Sequence, residues 1–294
     1  MRLTVACGAR SLSAIHGRLL RRNRVTTESR PKQGSWLSEH RRAALVVTLV
    51  PFLLLGFLEY LPGTFVPPLM YFVVAGVWAL YVTPRLLGLP NGRKPFREFC
   101  TDIRLLPVTP LARNILLGVL MAALTLSGIL LATVLTGHFV LDWSFVPPVR
   151  WVKGLTRGIW EEVIFRGIML VILMRFYPQR NAVLRMTAVF ALAHFNVLDV
   201  SIEAVVDVVS IFFIGLLFAY LVLKTGSLVP AIIFHYVHDI FVLLVQNAPG
   251  ADTLVASVLL YGFLWAALAV GAALTKYIVE HWPVRQSESL AVQE

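Results

Sequence analysis

The sequence predicts an all-α fold, a polytopic transmembrane helical bundle of about eight spans. Hydrophobic residues make up 58% of the 294 residues and charged residues only 14%, whereas a soluble domain carries about 25% charged residues. Apolar runs recur along the chain, each of the roughly 20 residues needed to cross the hydrocarbon core. Basic residues cluster in the N-terminal tail and between the apolar runs, as the positive-inside rule requires. A chain with this distribution needs a bilayer as its solvent.

The first three spans are separated by proline-containing turns and a basic loop. The first covers about Ala43–Leu61 and ends at Pro62-Gly63, a pair that favours a turn. The second begins at Pro67-Pro68 and ends near Val82. The third, about Leu111–Thr136, follows a loop rich in Arg and Lys. We therefore expect that basic loop on the cytoplasmic side.

The next three spans contain ionisable residues or end beside them. The fourth covers about Gly154–Met174, and a short basic loop leads to the fifth, about Leu184–Leu198. An acidic turn at 199–207 precedes a sixth span that ends near Leu223. Acidic residues between two apolar runs suit the side opposite the basic loops, so this turn is expected outside.

The last two spans complete the bundle. Lys224, Thr225 and Gly226 form a tight connection to the seventh span, about Leu228–Gln246. Pro249-Gly250 then turns the chain into an eighth span that ends near Thr275. An even number of spans places both termini on one side of the membrane.

The predicted topology defines three parts of the chain. Residues 1–42 form a basic cytoplasmic tail, residues 43–276 the transmembrane helical domain and residues 277–294 a polar tail. We predict a multi-pass protein of the cell membrane with both termini in the cytoplasm. The net charge of +10 lies mainly in the tail and loops, where it suits anionic lipid. The bilayer is therefore the expected partner, and no nucleic-acid partner is expected.

Ionisable residues in the fourth span are the strongest indication of a functional site. Glu161, Glu162 and Arg166 lie within six residues of one apolar run, and insertion scales give each such group a cost of about 2.5–3.5 kcal/mol. Glu162 and Arg166 are four residues apart, which puts them on one helix face and predicts an ion pair. Glu161 points about 100° away. A carboxylate left without that partner is suited to act as a general base.

Histidines in two later spans supply the rest of the candidate site. His194 lies in an otherwise apolar stretch of the fifth span. His235 and Asp239 are four residues apart in the seventh, so the acid can orient the imidazole. His238 lies about 60° from His235 and could face the same cavity or a neighbouring helix; packing is its expected role. Asp207, near the predicted outer boundary, is expected on a solvated interfacial face.

Three motifs in order resemble the signature of the CAAX prenyl protease type II and bacteriocin-processing (CPBP) family of intramembrane proteases. They are Glu161-Glu162-x-x-x-Arg166, Phe190-x-x-x-His194 and His235-x-x-x-Asp239. Each motif alone is weak, but three in order on separate predicted spans are strong. The resemblance covers about residues 150–247 and implies a protease core there, acting on a peptide or protein substrate.

The resemblance also implies a role for each residue. Glu161 and His194 would activate the attacking water, His235 and Asp239 would stabilise the oxyanion, and Glu162 and Arg166 would support the site. The prenyl proteases typically carry Asn where this chain has Asp239. An ionised aspartate has no hydrogen to donate. Either Asp239 is protonated in its apolar site, or it orients His235, which then acts as the donor; we favour the second.

Several alternatives stay open from the sequence. The implied mechanism uses no cofactor, while a zinc-dependent membrane metalloprotease could use His194, His235 and a carboxylate. Buried Glu, His and Asp residues also build the proton relays of proton-coupled transporters, and a non-catalytic membrane scaffold is a further possibility. The substrate could be a prenylated C-terminus, a leader peptide or a membrane protein. The motifs leave the oligomeric state undefined.

Overall fold

The computed structural model describes residues 68–86, 92–106, 110–142, 144, 148–195, 201–242, 244–250 and 252–282, together with the single positions Val46 and Val50. The basic tail 1–42, nearly all of the first predicted span and residues 283–294 of the polar tail lie outside the described residues.

Helices account for most of the described chain, which confirms the predicted all-α class. In order, the elements are α1 Pro68–Val77, π1 Trp78–Val82, α2 Thr83–Leu86, α3 Arg93–Asp102, α4 Leu111–Thr136, β1 Phe139–Leu141, α5 Pro148–Glu162, π2 Val163–Met169, α6 Leu170–Phe176, α7 Gln179–Leu192, α8 Ile202–Thr225, α9 Val229–Val242, β2 Val245–Asn247 and α10 Thr253–His281.

Three of these helices are long and apolar enough to cross a membrane by themselves. They are α4, α8 and residues Leu254–His281 of α10. The apolar stretches Phe72–Leu86 and Val229–Val242 are shorter. The structure therefore agrees with a membrane helical bundle, while the count of about eight spans stays a prediction.

The side chains are distributed as in a membrane protein. Val134, Leu135 and Val270 on long helices are 79%, 64% and 56% exposed, whereas Glu162 and Arg166 are 0% exposed. A soluble bundle would place such groups the other way round. Lipid can solvate the exposed apolar side chains, and the protein interior must satisfy the charges.

The structure moves two predicted boundaries. Residues 245–247 form β2, which pairs antiparallel with β1, so the prediction of a helix as far as Gln246 is wrong. The ribbon is extended by the hydrogen bonds Asp142 N–H to Leu244 O and Ala248 N–H to His138 O, both 2.8 Å. This pairing joins segments distant in sequence, so no local pattern predicts it. Helix α7 begins after Pro178 and ends at Leu192, earlier than the predicted fifth span.

Helix α9 is held close to two neighbouring helices by glycines. A methyl group at Gly118 of α4 would lie 2.8 Å from the carbonyl oxygen of Pro230. Gly154 and Gly158 are four residues apart on α5, and a methyl group at Gly158 would lie 3.4 Å from the backbone nitrogen of Tyr236. Small residues at this spacing let two helices approach closely. The contact sets the C-terminal end of α5, which carries both glutamates, beside the middle of α9.

Candidate active site

A buried ion pair lies where α5 passes into the widened turn π2. Arg166 Nη1 donates to Glu162 Oε1 at 2.9 Å, and both side chains are fully buried. The guanidinium carbon lies 3.9 Å from the ring centre of Phe190 and 4.9 Å from that of Phe218. Cation–π contacts of this kind strengthen when they are desolvated. The ion pair predicted from the spacing is therefore present, and two aromatic rings enclose it.

Glu162 also binds the central histidine, a contact that the sequence did not predict. The Nδ1–H of His235 donates to Glu162 Oε1 at 2.8 Å. The Oδ2 of Asp239, predicted to orient this ring, lies 3.5 Å from Nε2. Phe218 stacks on the imidazole with 5.0 Å between ring centres. The orientation of His235 thus depends on Glu162 through the shorter contact, and Asp239 lies at the opposite ring nitrogen.

Glu161 occupies a different environment from its neighbour. Its Oε2 lies 3.6 Å from His194 Nε2 and 3.6 Å from His235 Nε2. Both separations are longer than a hydrogen bond, and this oxygen is buried without a hydrogen-bond partner among the described residues. Burying such an atom costs roughly 1–3 kcal/mol. The arrangement leaves Glu161 ready to accept a proton from a molecule that enters the site.

His194 lies in the turn that follows α7, immediately after the C-cap residue Ala193. Its Nδ1–H donates to the carbonyl oxygen of Phe190 at 2.8 Å, and its ring packs edge-on against the Phe190 ring at 4.7 Å. This bond fixes the tautomer, so that Nε2 of the neutral ring carries the lone pair. Phe190 contacts His194 and Arg166 together, which couples the motif on α7 to the motif on π2.

A cavity of about 220 Å³ lies beside these residues. His194, His235 and Asp239 border it, as predicted for a shared site. The remaining described residues of its wall are Ile129, Phe190, Asp207, Ser210, Ile211, Ile214, Phe218, His238, Val242, Leu260, Tyr261 and Leu264. The volume is below the roughly 300–1,000 Å³ typical of sites for drug-sized ligands.

Three further polar residues of the cavity wall were not assigned to the site from the sequence. Asp207 borders the cavity, where it accepts a hydrogen bond from the hydroxyl of Tyr261 on α10, rather than serving only an interfacial face. His238 also borders the cavity, and its 60° offset from His235 was a usable signal. Because Tyr261 belongs to no motif, no signal in the sequence indicated its place in the wall.

Within the described segments, no three His, Cys, Asp or Glu side chains are arranged so that they could hold a metal ion. The Nδ1–H groups of His194 and His235 already donate to the carbonyl oxygen of Phe190 and to Glu162, respectively. The arrangement offers carboxylate and imidazole groups around a small cavity, which suits general acid–base chemistry on water.

One comparison with known proteins bears on this site. Residues 143–241 match the family model described as type II CAAX prenyl endopeptidase Rce1-like. No curated protein matches the chain significantly. The matched segment includes all the residues of the predicted site, from Glu161 to Asp239. This match confirms the resemblance drawn from the motifs: residues 143–241 of this integral membrane protein are similar to the type II CAAX prenyl endopeptidase Rce1-like family.

Proposed function

We propose that the protein is an intramembrane endopeptidase that hydrolyses peptide bonds with a water molecule activated by Glu161. The observation that carries the proposal is the position of Glu161 Oε2, which is buried without a hydrogen-bond partner among the described residues and lies 3.6 Å from the Nε2 atoms of both His194 and His235. A carboxylate beside two imidazoles can accept a proton from a water molecule bound between them.

The water is held by two acceptors. His194 gives its Nδ1–H to Phe190, so the lone pair of Nε2 and the carboxylate of Glu161 can each accept one hydrogen of the same water. A separation of 3.6 Å allows one water to contact both atoms. Both hydrogens are then engaged, and an oxygen lone pair is directed at the substrate carbonyl. Glu161 takes one proton and returns it to the amine that leaves.

The oxyanion needs donors on the other side of the substrate carbonyl. Nδ1–H of His235 is already given to Glu162, so this ring donates from Nε2 only as the imidazolium. Asp239, 3.5 Å from Nε2, stabilises that cation without donating itself. We therefore assign His235 as an oxyanion donor, with Glu162 and Arg166 holding it in place.

The enclosing bundle restricts the substrate to membrane-associated peptides. The cavity lies among α4, α8, α9 and α10, so a peptide must reach it at or within the bilayer. A prenylated C-terminus, a leader peptide and a segment of a membrane protein all satisfy this condition. The proposed mechanism uses no metal, and the distribution of basic residues favours a cell-membrane location with both termini in the cytoplasm.

The test is cleavage of peptides by the purified full-length protein in detergent. Prenylated and unprenylated peptides are compared for wild type, for Glu161→Gln and for a control, Glu280→Gln, which changes an exposed glutamate at the end of α10. We expect Glu161→Gln to lower kcat about 10²–10⁴-fold and the control to leave it unchanged. Undiminished cleavage by Glu161→Gln would sink the proposal.

A chelator arm separates the zinc alternative from the metal-free mechanism. Wild-type protein is dialysed against a strong chelator, its zinc content is measured, and the cleavage assay is repeated. We expect activity to survive with less than stoichiometric zinc. Loss of activity that added zinc restores would establish the metalloprotease instead.

A further inference from the structure

We propose that His238 is a second oxyanion donor, one that supplies the hydrogen bond Asp239 cannot. This inference rests on the proposed peptidase function and extends it to a residue outside the three motifs. His238 lies three residues after His235 on α9 and also borders the cavity. Only 8% of its surface is exposed. It is therefore a buried polar group directed at the place where the substrate binds.

The two ring nitrogens of His238 have different surroundings. Nδ1 is buried without a hydrogen-bond partner among the described residues, so Nε2 is the nitrogen that a ligand in the cavity can reach. A buried N–H without an acceptor is rarer in proteins than an acceptor left unpaired. The favoured neutral tautomer therefore carries its hydrogen on Nε2. His238 then presents a hydrogen-bond donor to the cavity without needing a positive charge.

Apart from the Nε2–H that His235 carries as an imidazolium, the other polar hydrogens of the described cavity wall are already committed. The Nδ1–H groups of His194 and His235 go to Phe190 and Glu162. The hydroxyl of Tyr261 donates to Asp207, and the hydroxyl of Ser210 donates to the carbonyl oxygen of Val206 at 2.8 Å.

The described wall carries no Lys or Arg, while Asp207 and Asp239 both border the cavity. Negative charge that develops there is unfavourable unless a nearby donor is provided. The Nε2–H of His238 meets this need, and the Phe234 ring, edge-on at 5.9 Å, limits the rotation of the imidazole.

The step balances with the groups present. The water oxygen bonds to the scissile carbon, its proton passes to Glu161, and the carbonyl electron pair moves to the oxygen, which accepts the hydrogen bond from His238 Nε2. The carbon–nitrogen bond then breaks, the carbonyl re-forms, and Glu161 returns the proton to the departing amine. His238 keeps its proton throughout, so it acts as a donor and not as an acid.

The first test compares His238→Phe with His238→Gln in the full-length protein. The Gln amide reaches about the position of Nε2, while Phe removes the donor. We expect kcat to fall about 10²–10³-fold for His238→Phe, with KM within a few-fold, and to stay within about tenfold for His238→Gln. A kcat for His238→Phe within threefold of wild type would overturn the proposal.

A second test uses Asp239→Asn, which places an amide donor one residue away. If His238 supplies the hydrogen bond that Asp239 lacks, His238→Phe should lower kcat less than about tenfold in the Asp239→Asn background, because the new amide donor can replace the lost one. An equal fold-loss in both backgrounds would count against the idea. Should His238→Phe not fold, His238→Asn replaces it: its shorter amide does not reach the Nε2 position, so it should lose activity that His238→Gln retains.

Glu161→Gln is assayed beside these variants to separate the two proposals. An inactive Glu161→Gln with a fully active His238→Phe contradicts the role of His238 alone. Cleavage that survives Glu161→Gln contradicts the peptidase mechanism itself.

Discussion

The consecutive residues Glu161 and Glu162 lie in two regions that differ in hydrogen bonding: a closed region around Glu162 and an open region around Glu161. On the closed side, Glu162 Oε1 accepts hydrogen bonds from Arg166 and His235, with aromatic rings around them. On the open side, the nearest imidazole nitrogens to Glu161 Oε2 are 3.6 Å away, next to a cavity. The residues are consecutive and chemically identical. The comparison teaches that the neighbours contributed by α7, α8 and α9 decide which glutamate is held by hydrogen bonds and which keeps an oxygen without such a partner among the described residues.

The closed region should carry a large share of the stability. Arg166→Met leaves the carboxylate of Glu162 buried without its cation, and breaking a buried pair in this way costs about 3–5 kcal/mol. We expect a large fall in folded protein and a lower midpoint of unfolding in detergent. Glu161→Gln, its counterpart in the open region, should change the free energy of unfolding by no more than about 1 kcal/mol. A midpoint for Arg166→Met equal to that of wild type would remove the distinction between the two regions.

Removing both charges of the pair should be less harmful than removing one. In the double variant Glu162→Gln with Arg166→Met, no uncompensated charge remains, and the amide can still accept from His235. We expect the double variant to recover about 1–3 kcal/mol relative to Arg166→Met alone, the usual range of coupling between residues in contact. The measurement is a double-mutant cycle of unfolding midpoints. Additive losses would show that the pair does not act as a unit.

The local parts of the site could be predicted from the sequence. The Glu162–Arg166 pair follows from a four-residue spacing on one helix, and the bounds of α4, Leu111–Thr136, follow from a long apolar run. In both cases the determining residues are neighbours in sequence, so helix geometry alone is sufficient.

The contacts between helices could not be predicted in the same way. The hydrogen bond from His235 to Glu162 joins residues 73 positions apart, and it exists because glycines on α5 let α9 approach. The pairing of β1 with β2 and the bond from Tyr261 to Asp207 depend on packing in the same manner. A motif names residues that meet, but it does not say which atom of which carboxylate each imidazole contacts.

Packing density should also differ between the two regions. A methyl group at Gly215 would lie 2.8 Å from Thr187 Cγ2 and 3.1 Å from Arg166 Nη2. Because these atoms leave no room for a methyl group, we expect Gly215→Ala to lower the free energy of unfolding by about 1–3 kcal/mol. The matched control is Gly262→Ala in α10, where nothing lies within 4 Å of the added methyl group. This change should stabilise the helix by up to about 1 kcal/mol. Equal midpoints for the two variants would contradict the close packing around Arg166.

The smallest effect is expected at the wall of the open region. Tyr261→Phe removes the hydroxyl that donates to Asp207, but Asp207 is exposed, so water can take the place of the hydroxyl. We expect a loss of no more than about 0.5 kcal/mol, as for most exposed substitutions. Tyr277→Phe on the same helix, whose side chain is 58% exposed, serves as the control for losing a phenol oxygen. A loss of 2 kcal/mol or more at Tyr261, against none at Tyr277, would mean that water does not replace the hydroxyl. The cavity would then be as closed as the region around Glu162, and the contrast between the two glutamates would have to rest on hydrogen bonding alone.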